Sequence, residues 1–341
     1  MEIRRVLNDN NNTRQEIEID GGKDGSVVVS ILCATYNHEN YIAMALEGFV
    51  KQKTDFRFEA IVHDDASTDK TAEIIRKYAS EYPDIIRPVY QKENQYSKGR
   101  KIINNFLFPL ATGKYIAICE GDDYWTDPFK LQKQVDFMRK HPECSVSYHA
   151  AELFDVRLNR KTGVIRTFKK TCVLPPNKLF FIVGEVAPTA SVLFLRKYML
   201  NPPDFYFDAP VGDLPSALIL SYHGRVGYID EVMAVRNIWV ANSWTTKFNE
   251  CENTGRKISH LKAVINLLNR YNIYSKKKFD IQIKKVILQY ETEILRLQGK
   301  QPFQEKEFLD LLQSFGILDR FKIKLSFKMP KLIAMVKKVI S

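Results

Sequence analysis

The chain has 341 residues, of which 45% are hydrophobic and 12% aromatic, so it can bury a large core. Its five cysteines are scattered and odd in number, which argues against a disulfide framework or a zinc site. No segment reaches the roughly 18 consecutive apolar residues of a membrane-spanning helix, and the N-terminus lacks the apolar stretch of a signal peptide. We therefore expect a globular, cytoplasmic protein.

The formal net charge of +11 is concentrated at the C-terminus, where residues 320–341 carry seven lysines or arginines and no acid. Large apolar side chains alternate with these basic residues, a composition that favours the surface of an anionic membrane. The alternative is a helix packed on the protein body with its lysines outward. The sequence shows no aromatic and basic recognition motif, so we expect no nucleic-acid partner.

Residues 1–26 are polar and rich in asparagine, and we expect a mobile leader with one short strand at Glu16–Ile19. From Val27 onward, strand and helix patterns alternate. The predicted elements are strand 27–34, helix 41–51, strand 58–63, helix 70–80, and strands 85–90 and 114–119. This alternation predicts an α/β domain whose parallel strands are joined by crossover helices.

The pattern continues less regularly after Trp125. Thr126-Asp127-Pro128 is typical of a helix start and predicts a helix to about residue 140. Further predicted elements are strands 145–151, 163–168, 191–195 and 232–239, and a helix over 211–222. Beyond residue 249, apolar residues recur at helical spacing over 258–271, 281–297 and 303–315. We therefore predict an α/β domain over 27–249 and a helical region over 250–341.

Two apolar strands end abruptly in clusters of acids. Glu120, Asp122 and Asp123 follow the strand at 114–119, and Asp64-Asp65 follows the strand at 58–63. Crowded carboxylates repel one another and stay ionised beside a cation, and their oxygens suit Mn²⁺ or Mg²⁺. The alternatives are a solvated turn for the first cluster and a helix cap for the second. We favour a metal and nucleotide site.

Ligands of an open parallel sheet bind at the carboxyl ends of its strands, where both acidic clusters and the Ala34–His38 loop lie. A nucleotide there would be framed by Thr35 and nearby amides, with Asp65 accepting a hydrogen bond from the base or ribose. A divalent ion on Asp122 or Asp123 would bridge the diphosphate. Lys98 could also meet the diphosphate, although a solvated surface lysine is the commoner role.

Transfer to a hydroxyl needs a base that faces the reacting carbon. Asp213, at the start of a predicted helix, is the candidate, and ordinary helix capping is its alternative. Trp125 follows the acidic loop and could stack on a sugar, or it could pack in the core. No serine shows the sequence signature of an activated nucleophile, so covalent catalysis is not supported.

These motifs together resemble family 2 of the inverting nucleotide-sugar glycosyltransferases, which have the GT-A fold. The resemblance covers about Val27 to Trp244. It rests on the segments Val29–Asn37, Asp64–Ser67, Ala111–Ile116 and Glu120–Asp123. It implies a Rossmann-like, mostly parallel sheet, a nucleoside-diphosphate sugar donor, a divalent metal, and one in-line displacement that inverts the anomeric carbon.

The resemblance and the residue pattern together assign roles to individual positions. We expect nucleotide contacts from Ala34, Thr35, Tyr36, Asp64, Asp65, Lys98, Glu120 and Asp122, metal ligation by Asp122 and Asp123, catalysis by Asp213, and acceptor contacts from Trp125, Thr189 and Ser191. The chain departs from the family at Glu120, where many relatives have aspartate. It also has Trp239 where an ungapped match places a histidine.

The resulting hypothesis is a metal-dependent hexosyl- or N-acetylhexosaminyl-transferase of surface polysaccharide synthesis, such as capsule or O-antigen. It would use a UDP-sugar and a glycan or lipid-linked acceptor, in the cytoplasm or at the inner face of the cell membrane. A non-catalytic binder of nucleotide sugars or glycans on the same scaffold is the alternative. A dinucleotide-dependent oxidoreductase would need a glycine-rich turn after the first strand, where Ala34–Asn37 has no glycine.

Overall fold

The computed structural model describes residues 25–177, 188–241, 243–317 and 320–321. The chain divides into two compact units, one comprising Met1–Phe207 with Val211–Asn249 and the other comprising Asp208–Pro210 with Glu250–Ser341. The strand predicted at Glu16–Ile19 and nearly all of the basic tail, 322–341, lie outside the described residues.

The first unit contains the sheet. Its strands are β1 (Val27–Thr35), β2 (Arg57–Asp64), β3 (Ile86–Tyr90), β4 (Tyr115–Ile118), β5 (Tyr124–Trp125), β6 (Cys144–Asp155), β7 (Arg160–Ile165), β8 (Cys172–Leu174), β9 (Leu193–Leu195) and β10 (Arg225–Ile238). Its helices are α1 (Ile42–Val50), α2 (Thr71–Glu81), α3 (Lys130–Lys140), α4 (Asp213–His223) and α5 (Trp244–Asn249).

The strands follow the order β3-β2-β1-β4-β9-β6-β10-β5 across one sheet, with β7 paired to β6 and β8 to β10. The first four strands are mutually parallel, and β10 is parallel to β6. Strand β9 is antiparallel to both β4 and β6, so β6 and β10 end at the same edge as β1 and β4. The predicted α/β class, a mostly parallel sheet flanked by helices, is confirmed.

Burial explains why this sheet is rigid. Most of β1 has no exposed surface, and the buried faces of α1, α2 and α3 pack in the same core cluster. Each fully buried Val, Leu or Ile side chain contributes about 1.5–3 kcal/mol to the driving force for folding. The carboxyl ends of these strands are therefore held by the packed strands behind them.

Several predictions of element boundaries were wrong. Helix α3 begins at Lys130 and not at the predicted start, Thr126–Pro128. The Asp127 side chain accepts a hydrogen bond from the Phe129 amide, and the Thr126 amide donates to the Met233 carbonyl, so these residues lie outside the helix. Strand β10 begins at Arg225, seven residues earlier than predicted, and β7 begins three residues before the predicted strand at 163–168. A π-helix at Ile103–Leu107 was not predicted at all.

The second unit consists of helices α6 (Thr254–Tyr274), α7 (Asp280–Leu297) and α8 (Lys306–Gln313). They confirm the three helices that the apolar spacing predicts, although α8 is shorter than 303–315. Apolar side chains of α7 and α8 form a separate core that includes Leu288, Phe308 and Leu312. Among the described residues, no helix is both long and apolar enough to cross a membrane.

Candidate active site

Backbone hydrogen bonds continue past the strand ends and bring three loops together. The Asp65 amide after β2 donates to the Thr35 carbonyl at 3.0 Å, and the Gly121 amide after β4 donates to the Ala34 carbonyl at 3.0 Å. The loops that follow β1, β2 and β4 are thus fixed side by side. Their convergence is what the sequence pattern predicts for a ligand site at this edge.

The acidic loop, residues 120–123, lies directly on the loop after β1. A Cβ atom on Gly121 would lie 2.6 Å from both Cβ and Oγ1 of Thr35 and 3.2 Å from Nδ1 of His38. Only glycine fits this contact. Ala34 is half-buried beside it, and the Tyr36 side chain is 40% exposed, so it remains accessible to a ligand.

Several buried polar atoms at this edge have no hydrogen-bond partner within the described part of the chain. They are Thr35 Oγ1, His38 Nδ1, Asp64 Oδ1 and both ring nitrogens of His63. Buried polar groups are normally paired, and leaving one unpaired costs about 1–3 kcal/mol. Such a cluster behind two strand ends is typical of a surface that a polar ligand completes. Thr35 and Asp64 are among the residues predicted for the nucleotide.

Asp65, predicted to accept a hydrogen bond from the base or ribose, is hydrogen-bonded to the chain itself. Its carboxylate accepts hydrogen bonds from the amides of Gln95 at 2.8 Å and Tyr96 at 3.0 Å, and its side chain is buried. Both oxygens therefore hold the loop after β3, because that loop presents two successive amides to them. Lys98 lies on the same loop, is exposed, and forms an ion pair with Glu93.

The acidic loop shows the repulsion that the sequence predicts. Desolvation by surrounding protein and the carboxylates of Asp122 and Asp213 raise the pKa of Glu120 to about 7, although its side chain is partly exposed. Burial, with Asp122 and Glu120 next, holds the pKa of Asp123 well above its usual range. The positive charge of Arg236 opposes both shifts. A nearby cation would stabilise the ionised carboxylates.

Strand β10 fixes the acidic loop through Asn237. The Asn237 amide donates to Asp123 Oδ1 at 2.9 Å, and its side-chain Nδ2 donates to the Asp122 carbonyl at 2.5 Å. Asp123 is therefore buried and structural, whereas the half-buried carboxylate of Asp122 forms no hydrogen bond to the rest of the described chain. Of the two predicted metal ligands, Asp122 is the one that the structure leaves available.

Asp213, the predicted base, is the first residue of α4 and is exposed. Its Oδ1 accepts the Leu214 amide at 2.8 Å, which leaves the other oxygen uncommitted. Its charge contributes to the raised pKa of Glu120 and, after burial, to that of Tyr148. Asp213 therefore lies within electrostatic range of the acidic loop, although about 90 residues separate the two in the sequence.

Arg236 lies within electrostatic range of the acidic loop, and the sequence-based site assignment left it out. It is half-buried on β10, one residue before Asn237, and its charge reaches both Glu120 and Asp123. Only the pairing of β10 with β5, directly after the acidic loop, explains this proximity. The weak signal in the sequence was an arginine near the end of an apolar strand.

The predictions for Trp125 and Ser191 were wrong. Trp125 is 4% exposed, its Nε1 donates to the Ala190 carbonyl at 2.8 Å, and its ring packs edge-on against Phe49 with 5.0 Å between centroids. It is a core residue and has no face for a sugar. Ser191 is fully buried and donates to the Pro188 carbonyl at 2.7 Å. Thr189 alone of the three predicted acceptor residues is half-buried.

The comparisons with known proteins agree with this architecture. Residues 30–193 match the model of glycosyl transferase family 2. The chain belongs to this family, and it transfers a sugar from a nucleotide sugar. It is 46% identical over 306 residues to the uncharacterized protein Rv1520 of Mycobacterium tuberculosis, a match that covers 84% of this chain and 80% of the relative.

Two further comparisons involve proteins with described roles. The Escherichia coli UDP-Glc:α-D-GlcNAc-diphosphoundecaprenol β-1,3-glucosyltransferase WfaP is 36% identical over 111 residues, which is 33% of this chain and 41% of WfaP. The crystal structure of Staphylococcus aureus TarS 1–349 in complex with UDP-GlcNAc superposes with a TM-score of 0.56 at 16% identity. It covers 89% of this chain and 78% of TarS 1–349. The TarS likeness establishes the GT-A fold.

Proposed function

We propose that this chain is an inverting, metal-dependent glycosyltransferase in which Asp213 is the general base. The observation that carries the proposal is that the charge of Asp213 raises the pKa of Glu120 in the acidic loop. A carboxylate distant in sequence is therefore near the predicted diphosphate site. A donor held by the loop would present its anomeric carbon between these groups. This arrangement suits a single displacement from the face opposite the diphosphate.

The donor's nucleotide would bind at the ends of β1 and β2. Thr35 Oγ1 and Asp64 Oδ1 are buried without partners there, so base or ribose groups that bond to them gain hydrogen bonds the free protein lacks. Tyr36, which is exposed beside them, would cover the ring. Asp65 supports this pocket indirectly through the loop that it anchors.

The residues present fit a divalent metal only in part. Among the described residues, no group of three or more His, Cys, Asp or Glu side chains could hold a metal ion. Magnesium and manganese are commonly bound by one or two carboxylates together with substrate phosphates, which fits Asp122 and a diphosphate. Bound there, the ion would neutralise the charge of the departing nucleoside diphosphate. Glu120 would then contact the ribose.

The chain's own side chains account for the remaining steps. The acceptor hydroxyl attacks the anomeric carbon, its proton passes to Asp213, and the bond from that carbon to the diphosphate oxygen breaks. Arg236 lies on the side of the acidic loop and would stabilise the negative charge on the leaving group. Asp213 is exposed, so an acceptor hydroxyl can reach its carboxylate.

The name of one relative supports a proposal for the finer identity of the substrates. WfaP is named as using UDP-Glc and a GlcNAc-diphosphoundecaprenol acceptor. We propose a UDP-sugar donor with a hexose or N-acetylhexosamine, a glycan or lipid-linked acceptor, and a role in surface polysaccharide synthesis. The protein would work in the cytoplasm, with its basic segment 320–341 at the anionic inner face of the membrane.

The test is a panel of UDP-, GDP- and dTDP-sugars with Mn²⁺ or Mg²⁺, scored by thermal stabilisation and by release of the nucleotide. We expect one UDP-sugar to be hydrolysed slowly without acceptor, and a chelator to abolish that release. Asp122→Asn should lose both the nucleotide release and the thermal stabilisation that depend on the metal. Asp84→Asn, at an exposed residue, should match the wild type. Stabilisation by a nucleotide sugar with no release under any condition would instead support the non-catalytic binder.

A further inference from the structure

A cavity lies at the carboxyl edge of the sheet, beside the acidic loop. Its volume is about 330 Å³, which is within the usual range of about 300–1,000 Å³ for small-molecule sites. It is lined mainly by Tyr41, Met44, Tyr124, Phe154, Asn159 and Asn237. The nucleotide, the metal and the proton transfer require none of these side chains directly.

The cavity adjoins the acidic loop. Asn237, in its wall, donates to the Asp122 carbonyl, and Tyr124 follows Asp123 in the chain. Burial and then the Asp122 charge raise the pKa of Tyr41, so this phenol is also within electrostatic range of the loop. A molecule in the cavity would therefore lie next to a donor held by Asp122.

The lining is uncharged. No Asp, Glu, Lys, Arg or His contributes to it, so the cavity does not suit a phosphate or a metal ion. It combines three aromatic rings with amide and hydroxyl groups. The hydroxyls of Tyr41 and Tyr124 and the side-chain oxygen of Asn237 form no hydrogen bond with other described residues. A neutral ligand with an apolar face and several hydroxyls would satisfy these groups.

A sugar ring has this chemistry, since its C–H groups stack on aromatic rings and its hydroxyls both donate and accept. We propose that the cavity is a carbohydrate subsite for a pyranose ring of the acceptor glycan. Its identity as an acceptor subsite, rather than simply a sugar site, rests on the proposed function. The groups assigned to the nucleotide lie at the ends of β1 and β2 and in the acidic loop after β4, whereas Phe154 and Asn237 lie near the ends of β6 and β10.

Saturation-transfer NMR on the full chain tests the subsite without any nucleotide. The probes are the methyl glycosides of glucose, galactose, mannose and N-acetylglucosamine at millimolar concentration. We expect at least one glycoside to receive magnetisation from the protein. Val156 also lines the cavity. Val156→Trp, which puts an indole into the cavity wall, should reduce this signal at least about fivefold and leave stabilisation by nucleotide unchanged.

A second variant covers the case in which Val156→Trp fails to fold. Tyr41→Phe with Tyr124→Phe removes two hydroxyls and no ring, and it should weaken the glycoside signal. Tyr82→Phe, at an exposed residue that follows α2 and does not line the cavity, should not. The inference is overturned if no glycoside gives a signal, or if the signal survives both cavity variants. If a glycoside binds but no donor releases its nucleotide, the proposed function is wrong and the cavity is still a sugar-binding site.

Discussion

The two halves of the sheet differ in how they are built and in what they contribute. Strands β3, β2, β1 and β4 form one parallel ladder, and their loops supply Thr35, Asp64 and the acidic loop. Strands β9, β6, β10 and β5 mix parallel and antiparallel pairs, and this half supplies Arg236, Asn237 and, through α4, Asp213. In the proposed function, the first half holds the donor and the second carries out the reaction. Substitutions in the first half should therefore lower mainly the affinity for the nucleotide, and substitutions in the second half should lower mainly kcat.

The largest expected effect lies in the second half, at Asp213. Asp213→Asn keeps the size of the side chain and removes the proton acceptor. We expect kcat to fall about 10²–10⁴-fold, the usual contribution of a general base, while nucleotide affinity changes less than about threefold. Steady-state kinetics and calorimetric titration with UDP measure the two quantities.

Asp204→Asn is the matched control for Asp213→Asn. Asp204 is exposed like Asp213, and it begins a short helical turn as Asp213 begins α4. The variant therefore tests whether losing an exposed carboxylate at a helix start is enough to slow the reaction. We expect wild-type kinetics for this variant. If both variants lost the same activity, or if Asp213→Asn lost nucleotide affinity instead of turnover, the division of labour between the halves would be wrong.

Arg236 sharpens the comparison because it belongs to the second half but faces the acidic loop of the first. Arg236→Gln should lower kcat about 10²-fold, since it removes a preorganised positive charge from the leaving group. UDP affinity should fall less, as the charge acts most strongly when the bond breaks. Arg225→Gln, at the exposed start of the same strand, should leave both unchanged. A loss of UDP affinity with kcat unchanged would assign Arg236 to binding alone.

Gly121 tests the first half. Gly121→Ala places a methyl group 2.6 Å from Thr35, so either the acidic loop or the nucleotide loop must shift. We expect UDP affinity to fall about tenfold and stability to fall by about 1–3 kcal/mol, the usual cost of overpacking. Gly163→Ala is the control, because nothing lies within 4 Å of its added Cβ. Unchanged UDP affinity in Gly121→Ala would show that this contact does not shape the nucleotide site.

The same division explains what the sequence could predict. In the parallel half, the strands and α-helices follow from their own apolar patterns, and the ends of β1, β2, α1 and α2 all lie within one residue of the predicted ends. The site residues there follow strand ends directly, so Thr35, Asp64 and the acidic loop were found from local sequence. Topology then brings them together without further information.

The second half depends on tertiary contacts that no local pattern reveals. Arg236 reaches the acidic loop only because β10 pairs with β5. Trp125 follows the acidic loop and was predicted to stack on a sugar. In the structure its indole donates to the Ala190 carbonyl and packs against Phe49 in the core. Asp65 resembles a ligand contact in sequence, but the amides that occupy it come from residues 95 and 96. In each case a partner distant in sequence decided the role.

The smallest effect on activity, and a clear effect on stability, is expected at Lys130 behind the acidic loop. Lys130 is fully buried, its Nζ lies 3.8 Å from the centroid of the Trp125 ring, and it has no hydrogen-bond partner among the described residues. Burial lowers its pKa to about 7, against an ordinary value of 10.5. The nearby His149 stays neutral above pH 7 because burial lowers its pKa to about 3.

Between pH 7 and 10.5 the unfolded chain binds a proton at Lys130 that the folded chain does not, so this group makes stability rise with pH. Lys130→Met removes that dependence. We expect the free energy of unfolding at pH 7 to increase by about 1 kcal/mol or more, with a smaller gain at pH 9.5, measured by urea titration. Lys140→Met, exposed at the end of the same helix, should change neither value. A gain of equal size at both pH values would mean that hydrophobic packing, and not the buried amine, limits stability there.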